Sequence, residues 1–171
     1  MPSVRVDRFL FDLPIGWTWL KYDECTYYRF HFNGLASSKA VDLLALDPQR
    51  EALWMIEVKD YRRHRRTKPE GLFPEVARKV RDTLAGLAAG RVAANDSLSR
   101  QFAVDAMQAG RLRVAFLLEQ PQSPSKLFPQ VIDPATAKTT LKKSLRAIDP
   151  HPFVGGASAL SAKTAWTVTP P

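Results

Sequence analysis

Apolar residues recur along this chain with two different periods, and the switch between them marks out the elements. Two nearly unbroken runs, Lys39-Ala40-Val41-Asp42-Leu43-Leu44-Ala45-Leu46 and Leu53-Trp54-Met55-Ile56-Glu57-Val58-Lys59, flank the segment Asp47-Pro48-Gln49-Arg50-Glu51-Ala52. Aliphatic runs around turn-forming residues predict a β-hairpin. A further strand is predicted over Arg111-Leu112-Arg113-Val114-Ala115-Phe116-Leu117-Leu118, apolar enough to be covered on both sides. Between hairpin and strand the period lengthens. Pro74 suits a first helical turn, and Val76, Val80, Leu84 and Leu87 form the stripe of a helix whose far end is weakened by Gly86 and Gly90. Asp96 or Ser97 can cap a second helix through Ala109, with Leu98, Phe102 and Ala106 on one face and Gly110 as its stop. A crossover of that length permits parallel pairing of the strands on either side of it.

The flanks carry weaker patterns. Val4 to Leu13 alternates loosely as an edge strand, a turn follows at Pro14-Ile15-Gly16, and Trp17 to Tyr22 is apolar and aromatic. Over Tyr27 to Phe32 the alternation of Tyr28, Phe30 and Phe32 with Tyr27, Arg29 and His31 suits a strand, while Asp23-Glu24 ahead of it suits the opening of a short helix. Asp133-Pro134 starts a helix with Ala137, Leu141, Leu145 and Ile148 inward and Lys138, Lys142 and Arg146 outward, and 165–168 suits a closing strand in which Trp166 is a core or lid residue.

The charges inside the hairpin change the picture. If Leu46 pairs with Leu53 across the turn, the same register sets Asp42 opposite Glu57, with Cβ atoms roughly 5 Å apart. Lys59 follows Glu57 by two positions and shares its face. Facing carboxylates repel, and burying them uncompensated is costly, so a divalent cation or a shifted protonation equilibrium is the natural resolution. Such a triplet also arises by chance in surface hairpins. Here Val41, Leu43 and Ala45 on one face and Leu44, Leu46 and Met55 on the other are all apolar, so the charges interrupt a sheet that reads as covered on both sides.

Asp42, followed after fourteen residues by Glu57-Val58-Lys59, resembles the motif of the PD-(D/E)xK nuclease superfamily. The likeness spans about residues 36 to 120, and three positions of it are diagnostic; Val41 stands where many members have proline. The resemblance implies a restriction-endonuclease-like α/β fold: an αβββαβ core, with a central mixed sheet and helices on both faces. It implies Asp42 and Glu57 as Mg²⁺ or Mn²⁺ ligands with the Val58 carbonyl, Lys59 as the catalytic lysine, and an extra acid on an upstream helix. Glu24 is the candidate for that acid by position, although a solvated acid at a helix start explains it equally well. The activity implied is metal-dependent phosphodiester hydrolysis, of DNA more than RNA. A polar residue from the following helix belongs to the same pattern, with Arg78 and Lys79 available and neither assigned; the Glu75 to Lys79 spacing equally supports a plain intrahelical pair.

Composition sets the remaining bounds. With 171 residues, 45% of them hydrophobic, the chain suits a single domain, core about 20–120 with 134–168 as additions. Cys25 is the sole cysteine, so no internal disulfide forms and a reducing, cytoplasmic setting is expected, with Cys25 a small semi-buried residue and not a nucleophile. No stretch approaches the ~18 apolar residues of a membrane span. Net charge is +8, unevenly placed: residues 1–58 hold 6 Lys/Arg against 8 Asp/Glu, residues 59–113 hold 13 against 6, and residues 114–171 hold 6 against 3. Positive charge thus begins where the acidic motif ends, in Arg62, Arg63, Arg65, Arg66 and Lys68, with His64 as one more donor and Tyr61 as a stacking face for a nucleic-acid strand. His31 and His151 have no partners at metal-ligand spacing and read as structural. A catalytically silent module on the same fold, docking nucleic acid or an acidic protein, is the alternative function, and a homodimer or an accessory protein partner fits either.

Overall fold

The computed structural model describes residues 1–35, 37–62, 71–121, 126 and 132–170. It is an α/β structure on a five-stranded mixed sheet. Its strands, in chain order, are β3 (Thr18–Leu20), β4 (Leu43–Leu46), β5 (Leu53–Asp60), β6 (Leu112–Glu119) and β7 (Phe153–Gly155), which is also their order across the sheet. β3, β4 and β5 pair antiparallel, whereas β5, β6 and β7 pair parallel. A smaller sheet joins the hairpin of β1 (Ser3–Val6) and β2 (Phe9–Asp12) to β8 (Thr167–Thr169). The expected single strand over Val4 to Leu13 is therefore two, because Asp7 turns the chain with φ of 52°, a conformation that Asp tolerates better than most residues.

The helices are α1 (Thr26–Phe30), α2 (Leu72–Ala93), α3 (Ser97–Ala106), α4 (Pro134–Ser144) and α5 (Ala157–Ser161), with a 3₁₀ turn at Tyr22–Glu24. The ambiguous aromatic segment is a helix. Its N-cap is Cys25, buried, whose Sγ takes the Tyr28 amide. Its place between β3 and β4 gives a chain order other than helix, three strands, helix, strand. Asp96 and Asp133 cap α3 and α4 by accepting the Ser99 and Thr136 amides at 2.7 and 2.8 Å. In α3 the inward face is Ser99, Phe102, Ala103 and Ala106; Leu98, expected inside, is 69% exposed.

The two faces of the main sheet are covered differently. Leu44, Leu46, Leu53, Met55, Val114, Phe116 and Leu118 pack under α1 to α4. Leu43, Ala45, Trp54, Ile56, Val58, Ala115 and Leu117 pack against the three-stranded sheet, α5 and Trp166. The expectation of helices on both faces is corrected: the second layer is chiefly a small β-sheet, built from segments whose short alternating runs gave little signal. The C-terminal segment, expected as an addition, completes both sheets through β7 and β8. Among the described residues no helix is long and apolar enough to cross a membrane.

α2 runs through Gly86 and Gly90 because its neighbours require them. A Cβ on Gly86 would lie 2.0 Å from the Tyr22 hydroxyl, and one on Gly90 would lie 3.1 Å from the Tyr27 ring. The helical cost of glycine, about 1 kcal/mol relative to alanine, is offset by this close approach of aromatic side chains.

Candidate active site

The hairpin register is set at its turn. Asp47 accepts the amides of Gln49, Glu51 and Ala52 at 3.1, 3.0 and 2.6 Å, tying three turn residues to one carboxylate. Leu46 then faces Leu53, as the sequence predicts, and the ladder runs back to Leu43 opposite Ile56. One step further the strand pairing gives way to a bend at Asp42. The free amides entering β4 are taken up by α2: Lys39 N–H donates to Asp82 Oδ2 and Val41 N–H to Thr83 Oγ1, both at 3.1 Å. The bend also turns Val41 to the helical side with Leu44 and Leu46, not to the side of Leu43 and Ala45 where alternation placed it.

Asp42 extends the ladder by other means. Its Oδ2 accepts the Val58 N–H at 2.7 Å, so the carboxylate takes the place of the next backbone partner and is fixed beside Glu57. Glu57 and Lys59 alternate with Trp54, Ile56 and Val58 and therefore point to the helical side. Glu57 is fully buried, and the side chains of Asp42 and Lys59 are 14% and 19% exposed. The Lys59 ammonium donates to Glu57 Oε1 and, at 3.1 Å, to the Val58 carbonyl. Asp42, Glu57, Val58 and Lys59 thus meet at one point on the C-terminal half of a central strand.

Lys79 of α2 completes the cluster. Its Nζ lies 3.2 Å from Asp42 Oδ1 and 2.7 and 2.9 Å from the two oxygens of Glu57. One turn earlier, buried Glu75 meets Lys39 at 3.4 Å, so Lys79 reaches across to the sheet acids instead of resting in a plain pair along its own helix. Sequence spacing had named Lys79 beside Arg78 without choosing; the rotation of α2 selects it. Burial pushes the Glu57 carboxyl up to about 7, the Asp42 charge adds to this, and Lys59 and Lys79 oppose it. Burial alone would lower Lys79, but Glu57 and Asp42 outweigh it and hold the ammonium above its ordinary range.

The 3₁₀ turn points its two acids in different directions. Glu24 swings outward to Lys21 at 2.5 Å, while Asp23 faces inward. Asp23 Oδ1 is buried without a hydrogen-bond partner, and burial, followed by the Asp42 and Glu24 charges, raises its carboxyl to about 6. Of the basic segment, Arg62 is held by Asp60 through three hydrogen bonds of 2.7 to 3.0 Å and lies over the Phe9 ring. Tyr61 packs against the helical-side core, where its ring is only partly buried. Arg63, His64, Arg65, Arg66 and Lys68 lie outside the described residues. The candidate cations Lys138 and Lys142 of α4, and Arg146 just beyond it, are exposed. His31 contacts Asn95 and stacks on Tyr27, and the backbone of His151 is bonded to buried Asp149.

The donor set suits a hard cation in kind: two carboxylates and a main-chain carbonyl, with the partnerless oxygen of Asp23 close enough to Asp42 to feel its charge. Among the described residues, however, no three Asp, Glu, His or Cys side chains close on a common point; the Lys79 ammonium stands between the two sheet acids.

Comparison with known proteins gives one partial likeness. The chain is similar to a cysteine–tRNA ligase of Neisseria meningitidis, with 28% identity over 170 aligned positions covering 78% of this chain and 23% of that protein. The chain therefore spans about a quarter of the length of the curated relative it matches. No family model matches, and no solved structure matches.

Proposed function

We propose that this chain is a Mg²⁺- or Mn²⁺-dependent nuclease that hydrolyses phosphodiester bonds in DNA, on a mixed-sheet α/β core whose order of elements departs from the restriction-endonuclease-like one. The observation that supports this reading above all others is the convergence of Asp42, Glu57 and Lys59 on one buried face, held there by the Val58 amide and by α2. Asp42, Glu57 and the Val58 carbonyl would hold the ion, with Asp23 as the adjoining acid in place of Glu24. When bound, the ion supplies Lewis-acid polarisation of the scissile phosphate. Lys59 keeps its proton at Nζ and offers it as a hydrogen bond to charge developing on a non-bridging phosphate oxygen. Glu57 must be ionised to serve as a ligand, and burial raises its carboxyl to about 7 in the metal-free protein, so metal binding should release a proton.

The test is cleavage of single- and double-stranded DNA with Mg²⁺ or Mn²⁺. Lys59→Ala is expected to cost about 10²- to 10³-fold, the usual effect of removing one charge-stabilising donor. Absence of metal-dependent cleavage that Lys59→Ala removes would sink the assignment. The partial likeness to a tRNA ligase adds structured RNA to the substrates to be assayed.

One observation favours a second reading. Lys79 and Lys59 together already balance the two sheet acids, as a module that binds without turnover would need. Such a module would bind nucleic acid with salt-dependent affinity indifferent to Asp42→Asn, whereas a nuclease loses metal binding on that change.

A further inference from the structure

We propose that the Lys79 ammonium is the resident cation of the acidic cluster, holding Asp42 and Glu57 together in the metal-free protein and giving way when a divalent ion takes its place. This inference rests on the metal-binding part of the nuclease reading and adds a positioning residue to it. Lys79 touches three of the four carboxylate oxygens of Asp42 and Glu57, at 3.2, 2.7 and 2.9 Å. The fourth, Asp42 Oδ2, is taken by Val58 N–H. Lys59 by contrast touches Glu57 at one oxygen and is otherwise turned to the Val58 carbonyl.

A small divalent ion needs oxygens at about 2.0–2.6 Å and cannot share that space with an ammonium, both for lack of room and because two cations repel at such range. The two occupants are therefore mutually exclusive. An ammonium suits the exchange, since a lysine head is a point charge on a flexible stem and makes no fixed fork that must be broken in register. The side chain is rooted on α2 one turn after Glu75, an acid at the spacing of an intrahelical pair, and it is 13% exposed where it now lies. Without Lys79, Lys59 would still pair with one oxygen of Glu57, but Asp42 would be left beside Glu57 and within range of the Asp23 charge with that ammonium gone, and the bend at Asp42 would be pushed open.

The experiment measures Mn²⁺ binding by calorimetry to the full chain and to Lys79→Gln, with Asp42→Asn as the control for site binding. Lys79→Gln should lower the melting temperature of the metal-free protein yet tighten Mn²⁺ by about tenfold, because a competitor has been removed. A purely structural lysine would move both in the same direction. Should the variant fold poorly, acetylation of Lys79 in the wild-type protein, followed by mass spectrometry, reads the same exchange: its rate should rise when Mg²⁺ is added. Unchanged or weaker Mn²⁺ binding in Lys79→Gln, or an acetylation rate that Mg²⁺ leaves alone, overturns the exchange; if Asp42→Asn still abolishes wild-type binding, the nuclease reading stands. If neither protein binds Mn²⁺, both the exchange and the metal in the proposed function fall together.

Discussion

β5 presents two faces that use burial for opposite ends. On one, Trp54, Ile56 and Val58 meet an aromatic cluster in which Trp166 lies 5.6 Å from Trp54 and 5.7 Å from Phe11. On the other, Leu53 and Met55 begin as core, but the next two inward positions are Glu57 and Lys59, as buried as the core around them or nearly so. The first face turns removal from water into stability; the second turns it into unbalanced charge that only neighbouring charge can satisfy. A single strand thus separates the part of the protein that holds it together from the part that concentrates buried charge.

The largest change should come from the aromatic face. Trp166→Ala is expected to lower unfolding free energy by about 3–5 kcal/mol, the range for emptying a large buried aromatic site. Chemical denaturation measures this, and Mn²⁺ affinity of the folded fraction should be unaltered; a parallel loss of Mn²⁺ affinity would show that the two faces are not separable.

The next effect belongs to the charged face and depends on pH. The Glu57 carboxyl lies near 7 when folded and 4.5 when unfolded, so the unfolded chain gives up its proton first. Its contribution is fully present below pH 4.5 and is lost as pH rises through 7, amounting to roughly 3 kcal/mol. Denaturation of the metal-free protein across pH 4 to 8 should show Glu57→Gln closing this gap as pH rises. Two profiles that stay parallel would mean that Lys59 and Lys79 hold Glu57 ionised throughout, and that the contrast between the faces is weaker than drawn.

The smallest of the three concerns the support behind the charged face. Gly86→Ala puts a methyl group against the buried Tyr22 hydroxyl and should cost about 1–3 kcal/mol. Thermal melts measure the cost. If Gly86→Ala instead stabilises, as it would in an exposed helix, the packing of α2 on Tyr22 is not what fixes Lys79.

Much of the hairpin could be read from local residues. Its turn and the apolar character of both strands were enough to set Leu46 against Leu53, and with that register Asp42 and Glu57 follow. Lys79 was less accessible, because the apolar stripe of Val76, Val80 and Leu87 was followed while a second row at the same helical spacing was not. That row, Glu75, Lys79, Thr83, Gly86 and Gly90, is polar or small and faces the site and the tyrosines. The choice between Asp23 and Glu24 was hidden for another reason: adjacent residues of a 3₁₀ turn point about 120° apart, and only the surrounding structure says which one looks inward. The layer opposite the helices was legible as strands over Val4 to Leu13 and 165–168 but not as a sheet, because strands of three or four residues that pair from so far apart in sequence leave no local mark of their partners.

The glycine contacts of α2 have a consequence for how this protein tolerates insertion. Tyr22 and Tyr27 act as detents against Gly86 and Gly90, stopping the helix from sliding along its own axis, and Lys79 sits seven residues before Gly86. Those two turns set the height of the ammonium above the sheet at roughly 10 Å from the stop. Adding or deleting one residue in this interval would swing Lys79 by about 100° around the axis while the detents held the rest in place. Length variation should accordingly be found in the surface loops and be absent between Lys79 and Gly86.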